Sequence, residues 1–225
     1  MVLKFVGHSY SSAALRVAVV LHEKKIPFEL ILVDLAKKEQ KTPEFLGKQP
    51  FGQVPYIDDD GFILYESRAI CRYLAAKYPD QGPKLLPSGH DLRESALYEQ
   101  AASIELQNFH EYAEKAWIEA ILKPKTGAEP NQAVIDDAVA TLNDKFDVYE
   151  VILSKQRYLA GDELTIVDMF HLPYAARLVE FGCTLMTTKG PNVTRWWNDI
   201  SSRPSWQAVK DGVLRSEDFI LNETS

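Results

Sequence analysis

The chain has 225 residues, of which 46% are hydrophobic, and its formal net charge is -7 at pH 7. This length and hydrophobic content are enough to bury a sizeable core in one large domain or two small ones. The acidic balance argues against a general polyanion binder, because phosphate backbones are held mainly by clustered Lys and Arg, so we expect no nucleic-acid partner.

The N-terminal residues show no long apolar run behind a basic start, and no later segment stays apolar for about eighteen residues. We therefore expect a cytoplasmic protein that does not enter the membrane. Two cysteines, Cys71 and Cys183, lie far apart and outside any CxxC pair. This spacing argues against a disulfide framework or a thiol redox motif, and it predicts two buried free thiols.

Short strand-like and helical segments alternate over residues 1–80. In chain order the pattern predicts a strand at 2–6, a helix at 12–24, a strand at 28–33, a short helical turn at 43–47, a hairpin of strands 54–57 and 62–65, and a helix at 67–78. The hairpin turn is predicted at 58–61, where Gly61 supplies the positive φ of a tight turn. Two strands joined by a helix imply a parallel crossover, and the hairpin adds antiparallel strands to the same sheet. This order is that of a thioredoxin-like domain.

Residues 81–90 are rich in Pro and Gly and lie where the pattern changes, which predicts a linker. From 91 to 225 the pattern is almost entirely helical. Apolar residues recur at three- and four-residue steps in two series: Leu106, Phe109, Ala113, Trp117 and Ala120, then Ile135, Val139, Leu142, Phe146, Tyr149 and Leu153. The second series covers too few heptads to favour an extended coiled coil over a bundle. The fold class is therefore α+β, with a thioredoxin-like domain at 1–80 followed by an all-α helical bundle.

One helix start in the bundle has a local signal. Thr165 stands three residues before Asp168, which predicts a capping box and a helix that begins at Thr165. Pro173 then falls inside this helix. A polar segment of low predicted order follows Arg215.

Two segments carry a family resemblance: Lys48-Gln-Pro-Phe-Gly-Gln-Val-Pro55 and Tyr65-Glu-Ser-Arg-Ala-Ile-Cys-Arg-Tyr-Leu74. They resemble the glutathione site of the cytosolic glutathione S-transferases, and most closely that of the phi class of plants and fungi. The similarity covers nearly the whole chain. It implies a glutathione transferase fold, glutathione as co-substrate, no metal, and a homodimer.

The resemblance assigns the cysteinyl and glycine parts of glutathione to two segments. In the family the bond before Pro55 is cis, which turns the N–H and C=O of Val54 outward, so an extended peptide can pair there beside Gln53. Gln40 and Lys41 are expected to face the glycine carboxylate. Gln40 stands where His is frequent in the phi class, and its amide still donates a hydrogen bond.

Glu66 and Ser67 are expected at the start of the third helix. Free backbone N–H groups and the positive end of the helix dipole attract a carboxylate there, and the γ-glutamyl group is the expected guest. Ser67 would bind its carboxylate and Glu66 its α-amino group. Ser67 would also serve as a helix cap, since the two roles use neighbouring groups.

Ser11 follows the first strand and matches the catalytic serine of the phi class, which stabilises the glutathione thiolate. The family often carries a proline shortly before this serine, and none is present here. The hydroxyl that meets the sulfur therefore stays open among Ser9, Ser11 and Ser12, with Ser11 preferred. No Cys occurs at this position, so mixed-disulfide chemistry is not expected.

The second substrate is expected between the two domains. The predicted contacts are Tyr10 and Leu35 from the first domain, and Phe109, Tyr112, Trp117 and Arg177 from the second. The sequence thus favours an enzyme that conjugates glutathione to small hydrophobic electrophiles and also reduces organic hydroperoxides. Two alternatives stay open: a ligandin-like or regulatory protein that binds glutathione and apolar ligands without turnover, and an assembly module of a larger complex.

Overall fold

The computed structural model describes residues 2–213, and the polar segment predicted after Arg215 lies outside them. The chain divides into two compact units, one of residues up to Lys84 together with the segment from Pro204, the other Leu85–Arg203. The predicted boundaries, 1–80, 81–90 and 91–225, stay a prediction. The compact units differ from them in grouping the segment from Pro204 with the N-terminal unit.

A mixed sheet of four strands forms the core of the N-terminal unit. Its strands are β1 (Leu3–Gly7), β2 (Phe28–Leu32), β3 (Tyr56–Asp59) and β4 (Phe62–Tyr65), in the spatial order β2-β1-β3-β4. β1 runs parallel to β2 and antiparallel to β3, and β3 pairs antiparallel with β4. These pairings confirm the predicted crossover and hairpin, and with them the thioredoxin-like layout.

The helical segments of this unit before Lys84 are α1 (Ser12–Glu23), a 3-10 turn (Glu39–Lys41), α2 (Pro43–Leu46) and α3 (Ser67–Lys77). α1 packs on α3 and buries every side chain from Ala14 to Leu21. This buried run includes Arg16, whose charge requires polar partners in the interior. Ser67 at the start of α3 supplies one of them.

The hairpin turn is shorter than the pattern predicted. β3 continues through Asp59, so the turn consists of Asp60 and Gly61, with φ of 56° and 88°. Two residues with positive φ form the turn whose twist matches that of paired strands. The Asp58 carboxylate accepts a hydrogen bond from the Gly61 N–H at 2.8 Å and fixes the turn in this register.

The unit Leu85–Arg203 is helical. It contains α4 (Leu92–Glu105), α5 (Glu111–Trp117), α6 (Lys123–Lys125), α7 (Gln132–Leu153), α8 (Ile166–Glu180), α9 (Leu185–Thr188) and α10 (Pro191–Ser201); α11 (Pro204–Val209) belongs to the other unit. α7 packs on α5 and α10, and α5 also packs on α8, which confirms the predicted bundle. Pro173 lies inside α8, as predicted.

Two π-helical turns, Leu106–His110 and Ile118–Leu122, join α4, α5 and α6 into one helical stretch. A π turn forms i to i+5 hydrogen bonds, so it shifts the phase of a helix that otherwise repeats every 3.6 residues. Phe109 and Ala113 are completely buried, whereas Leu106 is 46% exposed. The predicted apolar series is therefore wrong for Leu106, because that series assumed an unbroken α-helical phase.

Thr165 and Asp168 form the predicted capping box at the start of α8. The Asp168 carboxylate accepts the Thr165 backbone N–H at 3.0 Å, the Leu159 N–H at 3.0 Å and the Trp196 indole N–H at 2.9 Å. Burial raises the pKa of Asp168, and these donors oppose that rise. The local signal in the sequence thus marks a buried junction of three chain segments.

Candidate functional site

The pairing register brings several strand ends to one edge of the sheet. Val6 of β1 lies opposite Tyr56 of β3, and Tyr56 lies opposite Tyr65 of β4. Because β3 is antiparallel to its neighbours, the chain enters β3 where it leaves β1 and β4. The loop that leads to Ser11, the residues just before Tyr56 and the start of α3 at Ser67 therefore meet at this edge.

Ser11 is the N-cap of α1 and is half-buried. Its backbone N–H donates to the His8 carbonyl at 3.0 Å and closes the turn between β1 and α1. Its Oγ accepts the Ala14 N–H at 3.4 Å, a long hydrogen bond that leaves the hydroxyl hydrogen free to donate. An anion near this hydroxyl would also meet the positive end of the α1 dipole. The geometry therefore suits stabilisation of a thiolate.

The neighbouring serines have different surroundings. Ser12 is 5% exposed, and its Oγ is buried without a hydrogen-bond partner among the described residues. Ser9 is half-buried, and its carbonyl oxygen accepts the Val213 backbone N–H at 3.0 Å. A substrate sulfur would have to enter the interior to reach Ser12, so accessibility favours Ser11 over Ser12.

The loop before β3 is held by Gln49 and Gly52, two residues of the Lys48–Pro55 motif to which the resemblance assigned no glutathione contact. Gln49 is 2% exposed, and its side-chain oxygen accepts the Gln53 backbone N–H at 3.0 Å. Gly52 has a φ of 59°, which favours glycine, and its N–H donates to the Gln49 carbonyl at 3.0 Å. The Val54–Pro55 bond is cis, as the resemblance implied, and Gln53 is exposed beside it.

Gln40 and Lys41 contact this loop from the 3-10 turn. Lys41 Nζ donates to the Phe51 carbonyl at 3.1 Å. A Cβ added to Gly52 would lie 2.8 Å from both the Gln40 carbonyl oxygen and Lys41 Nζ, so glycine permits this close approach. The Gln40 Oε1 is buried without a hydrogen-bond partner among residues 2–213. The Lys41 ammonium group is thus held beside the loop, next to a residue whose amide can donate, and a carboxylate would find donors there.

The start of α3 combines an unusual backbone conformation with a buried charge. Glu66 is exposed, with φ of 68° and ψ of 105°, and such conformations cost a non-glycine residue about 1–3 kcal/mol and cluster at functional sites. Ser67 is buried, and its Oγ accepts a hydrogen bond from Arg16 Nη1 at 2.9 Å. Because Arg is only a donor, the Ser67 hydrogen can be donated onward. The guanidinium and the helix N-terminus both favour a carboxylate here.

Arg16 lies outside both sequence motifs, and its role at the site was not predicted. It is 2% exposed, and its carbonyl accepts a hydrogen bond from the Cys71 thiol at 3.4 Å. The available signal was one charged residue within the apolar run of α1, since a buried charge needs a partner. The sequence does not identify that partner, because Ser67 lies 51 positions further along the chain.

The chain's own cysteines are poor nucleophiles. Both are free, and burial raises the pKa of Cys71 to about 12. Cys183 is half-buried, which corrects the prediction that it is buried, and burial raises its pKa as well. Because only a thiolate is strongly nucleophilic, a reactive sulfur at this site would have to come from a bound molecule.

Two kinds of feature are absent from residues 2–213, a cluster of metal ligands and a membrane-spanning helix. No three His, Cys, Asp or Glu side chains are grouped closely enough to hold a metal ion. No helix within that range has both the length and the apolar character needed to span a bilayer.

The residues predicted to bind an electrophile lie in different environments. In the helical unit Phe109 is completely buried, with its ring centre 6.1 Å from that of Phe146, so its ring belongs to the core and offers no surface to a ligand. Tyr112 and Trp117 are half-buried. Arg177 lies over the Trp117 ring, 5.6 Å from its centre.

In the N-terminal unit Tyr10 is 62% exposed. Leu35 packs against a buried cluster that includes Val33 and Phe45. Apart from Phe109, whose burial argues against it, the residues assigned to the electrophile stay a prediction.

Comparison with known proteins relates both units to one family. Residues 1–76 match the family model "Glutathione S-transferase, N-terminal domain", and residues 110–204 match "Glutathione S-transferase, C-terminal domain". The chain is 46% identical over 207 residues to glutathione S-transferase hmp2 of Hypomyces subiculosus. The aligned region covers 92% of this chain and 96% of that protein.

Solved structures of plant proteins are similar over almost the whole chain. Glutathione transferase F7 of Populus trichocarpa superposes with a TM-score of 0.89 at 38% identity, covering 95% of this chain and 100% of that one. Glutathione S-transferase I of maize, solved with an atrazine glutathione conjugate, superposes with a TM-score of 0.87 at 32% identity. That match covers 94% of this chain and 97% of the maize chain.

Proposed function

This chain belongs to the glutathione S-transferase family, and from that membership we propose that it joins the sulfur of glutathione to electrophilic small molecules. Its similarity to plant F-type transferases supports a phi-class enzyme. One observation carries the proposal. The strand register brings three segments to the same edge of the sheet: the loop with Ser11, the cis bond before Pro55, and the start of α3 with the Arg16–Ser67 pair.

The proposed glutathione contacts follow the three parts of the tripeptide. Glu66 and Ser67 hold the γ-glutamyl group, the backbone of Val54 beside Gln53 and Pro55 pairs with the cysteinyl unit, and Gln40 and Lys41 hold the glycine carboxylate. The buried Arg16 supports the first of these contacts, because its hydrogen bond leaves the Ser67 hydroxyl as a donor. The maize relative's glutathione conjugate supports a conjugate as the product released here.

Ser11 needs to supply only a modest free energy to stabilise the thiolate. A thiol with a pKa of about 8.5 is about 3% ionised at pH 7, and lowering this pKa to about 6.5 requires about 2.7 kcal/mol. One charge-assisted hydrogen bond of about 1.5–3 kcal/mol, with about 0.3–1 kcal/mol from the helix dipole, is sufficient. The proton leaves to solvent, the sulfur bonds to the electrophilic carbon, and the displaced electron pair departs with the leaving group.

Thiolate stabilisation alone cannot account for fast turnover. Thiolate nucleophilicity falls as its pKa falls, with a slope of about 0.4–0.5, so a two-unit drop cancels roughly tenfold of a roughly 25-fold gain in thiolate. The remaining acceleration must come from holding the electrophile close to the sulfur.

The test compares Ser11→Ala with Ser9→Ala and Ser12→Ala in the full chain, using glutathione with chlorodinitrobenzene and, separately, cumene hydroperoxide. We expect Ser11→Ala to raise the pKa of bound glutathione by up to about two units and to lower kcat/KM at pH 7 by roughly threefold, because most of the roughly 25-fold loss of thiolate is offset by the higher nucleophilicity of the thiolate that remains, while glutathione affinity falls by no more than about fourfold. Full activity in Ser11→Ala with a loss in Ser9→Ala would move the role to that residue. Glutathione binding without turnover of any electrophile would favour the ligandin-like alternative.

A further inference from the structure

The segment Pro204–Val213, termed here the C-terminal strap, lies along α1 within the N-terminal unit. Its helix α11 packs on α1. Ser205 Oγ donates a hydrogen bond to the Glu23 carboxylate at the end of α1, and both side chains are only 8% exposed. One end of the strap is therefore anchored in the interior.

The other end of the strap contacts the loop that carries Ser11. The Val213 backbone N–H donates to the Ser9 carbonyl at 3.0 Å. Gly212 lies against the Tyr10 ring, since a Cβ built on it would come within 3.3 Å of a ring carbon. Gly212 has a φ of 130°, a conformation that other residues rarely adopt, so the backbone favours glycine here, and an added Cβ would press on the Tyr10 ring. The strap thus joins the two ends of α1.

The loop also has hydrogen bonds of its own. The Ser11 N–H donates to the His8 carbonyl at 3.0 Å, and the Tyr10 N–H donates to His8 Nδ1 at 3.3 Å. No proline between Gly7 and Ser12 restricts the backbone. A tertiary hydrogen bond to Ser9, two residues before the hydroxyl, therefore bears directly on where Ser11 points.

We propose that the C-terminal strap is a positioning element for the sulfur site, in which Gly212 and Val213 fix the Ser9–Tyr10 backbone and thereby the direction of the Ser11 hydroxyl. This inference rests on the proposed role of Ser11. A hydrogen bond weakens steeply with misalignment, so a looser loop would stabilise the thiolate less. The glutathione contacts on α3 and before β3 do not involve the strap, so affinity for the tripeptide should not depend on it.

The experiment uses Gly212→Ala and Val213→Pro in the full chain. The first strains the backbone and crowds Tyr10, and the second removes the N–H that donates to Ser9. The matched control is Gly161→Ala, since Gly161 has a comparable φ of 146°, has no atom within 4 Å of an added Cβ, and lies in the helical unit. Ser11→Ala provides the reference for complete loss of the hydroxyl.

The readout is the pH titration of bound glutathione, followed by the ultraviolet absorbance of its thiolate, with KM for glutathione and Tm measured in parallel. We expect both strap variants to raise the pKa of bound glutathione toward that of Ser11→Ala by up to about one unit, which is up to tenfold less thiolate on the acid side of the titration. KM for glutathione should stay within about twofold. Gly161→Ala should titrate like the unmodified protein.

The outcomes separate the two proposals. If Ser11→Ala shifts the titration and the strap variants do not, the strap has no positioning role, while the role of Ser11 stands. If the strap variants merely lower Tm as Gly161→Ala does and leave the titration unchanged, the strap is structural. If Ser11→Ala itself titrates like the unmodified protein, the assignment of Ser11 is wrong and the strap inference is overturned with it.

Discussion

Arg16 reaches the proposed γ-glutamyl site through one hydroxyl group. It is buried on α1, and its Nη1 donates to the Ser67 Oγ at 2.9 Å. Polarised chains of hydrogen bonds strengthen their outer members, so the guanidinium makes the Ser67 hydrogen a better donor to a carboxylate. The proposed γ-glutamyl contact at Ser67 thus depends on a charge that solvent does not reach.

We expect Arg16→Met to weaken glutathione binding by roughly tenfold or more, because a charge-assisted hydrogen bond contributes about 1.5–3 kcal/mol. The glutathione affinity of Arg16→Lys should lie between those of the unmodified protein and Arg16→Met, since Lys keeps the positive charge and lacks the planar guanidinium group. Calorimetric titration measures both. Glutathione amidated at the γ-glutamyl carboxylate should bind the unmodified protein and Arg16→Met about equally. A similar loss in Arg93→Met, which removes an exposed Arg, would show that the effect is one of net charge only.

Between elements, α7 and α10 are joined by one carboxylate. Glu150 of α7 accepts hydrogen bonds from the Asn192 backbone N–H at 3.1 Å, the Asn192 side chain at 2.6 Å and the Val193 N–H at 2.8 Å. A carboxylate at the first turn of a helix satisfies free N–H groups and favours the helix dipole. Burial acts to raise the pKa of Glu150, but these donors outweigh it and lower the pKa below its ordinary value.

We expect Glu150→Gln to lower stability by about 1 kcal/mol near pH 7, which corresponds to a fall in Tm of about 2–4 °C for a chain of this size. Because the folded pKa is lowered, this stabilisation is present above the ordinary Glu pKa and disappears as the pH falls through the folded value. Thermal unfolding at a series of pH values from 7 downward measures the difference, which should shrink as the pH falls. The control Glu129→Gln, at an exposed position, should leave Tm unchanged at every pH tested.

Element types could be predicted because their signals are local. Alternating and helical apolar patterns mark the strands and α1, and the spacing of Thr165 and Asp168 marks the start of α8. The hairpin register was missed, because the Asp58 side chain that fixes it resembles its acidic neighbours in sequence. The exposed face of Leu106 was missed because no sequence pattern marks a π turn.

The residues assigned to glutathione could be expected from the motif, whereas the buried residues that support them could not. Gln49 supports Gln53 from the interior, and Arg16 supports Ser67 across a long stretch of chain. Such pairs depend on which elements pack together, and spacing in the sequence does not carry that information. Phe109 shows the converse, since an aromatic residue assigned to a pocket is completely buried.

For the whole molecule, the resemblance predicts a homodimer, and the mass of the particle in solution tests this prediction. A single chain has a mass of 25.5 kDa, so size exclusion with light scattering should give about twice that value. A particle of single-chain mass across the micromolar range would contradict the prediction. High salt should not dissociate the dimer if apolar contacts dominate it.

The two π turns between α4 and α6 have a consequence for how such a chain diversifies. A π turn holds one residue more than an α turn, so it can arise by a single insertion and be removed by a single deletion. Because the turn at Leu106–His110 widens to take up the extra residue, side chains beyond it, including Tyr112 and Trp117, keep their directions, and only the residues of the turn itself are re-aimed. Lineages carrying this helix could therefore gain or lose one residue within the turn while the helix face that follows it is kept.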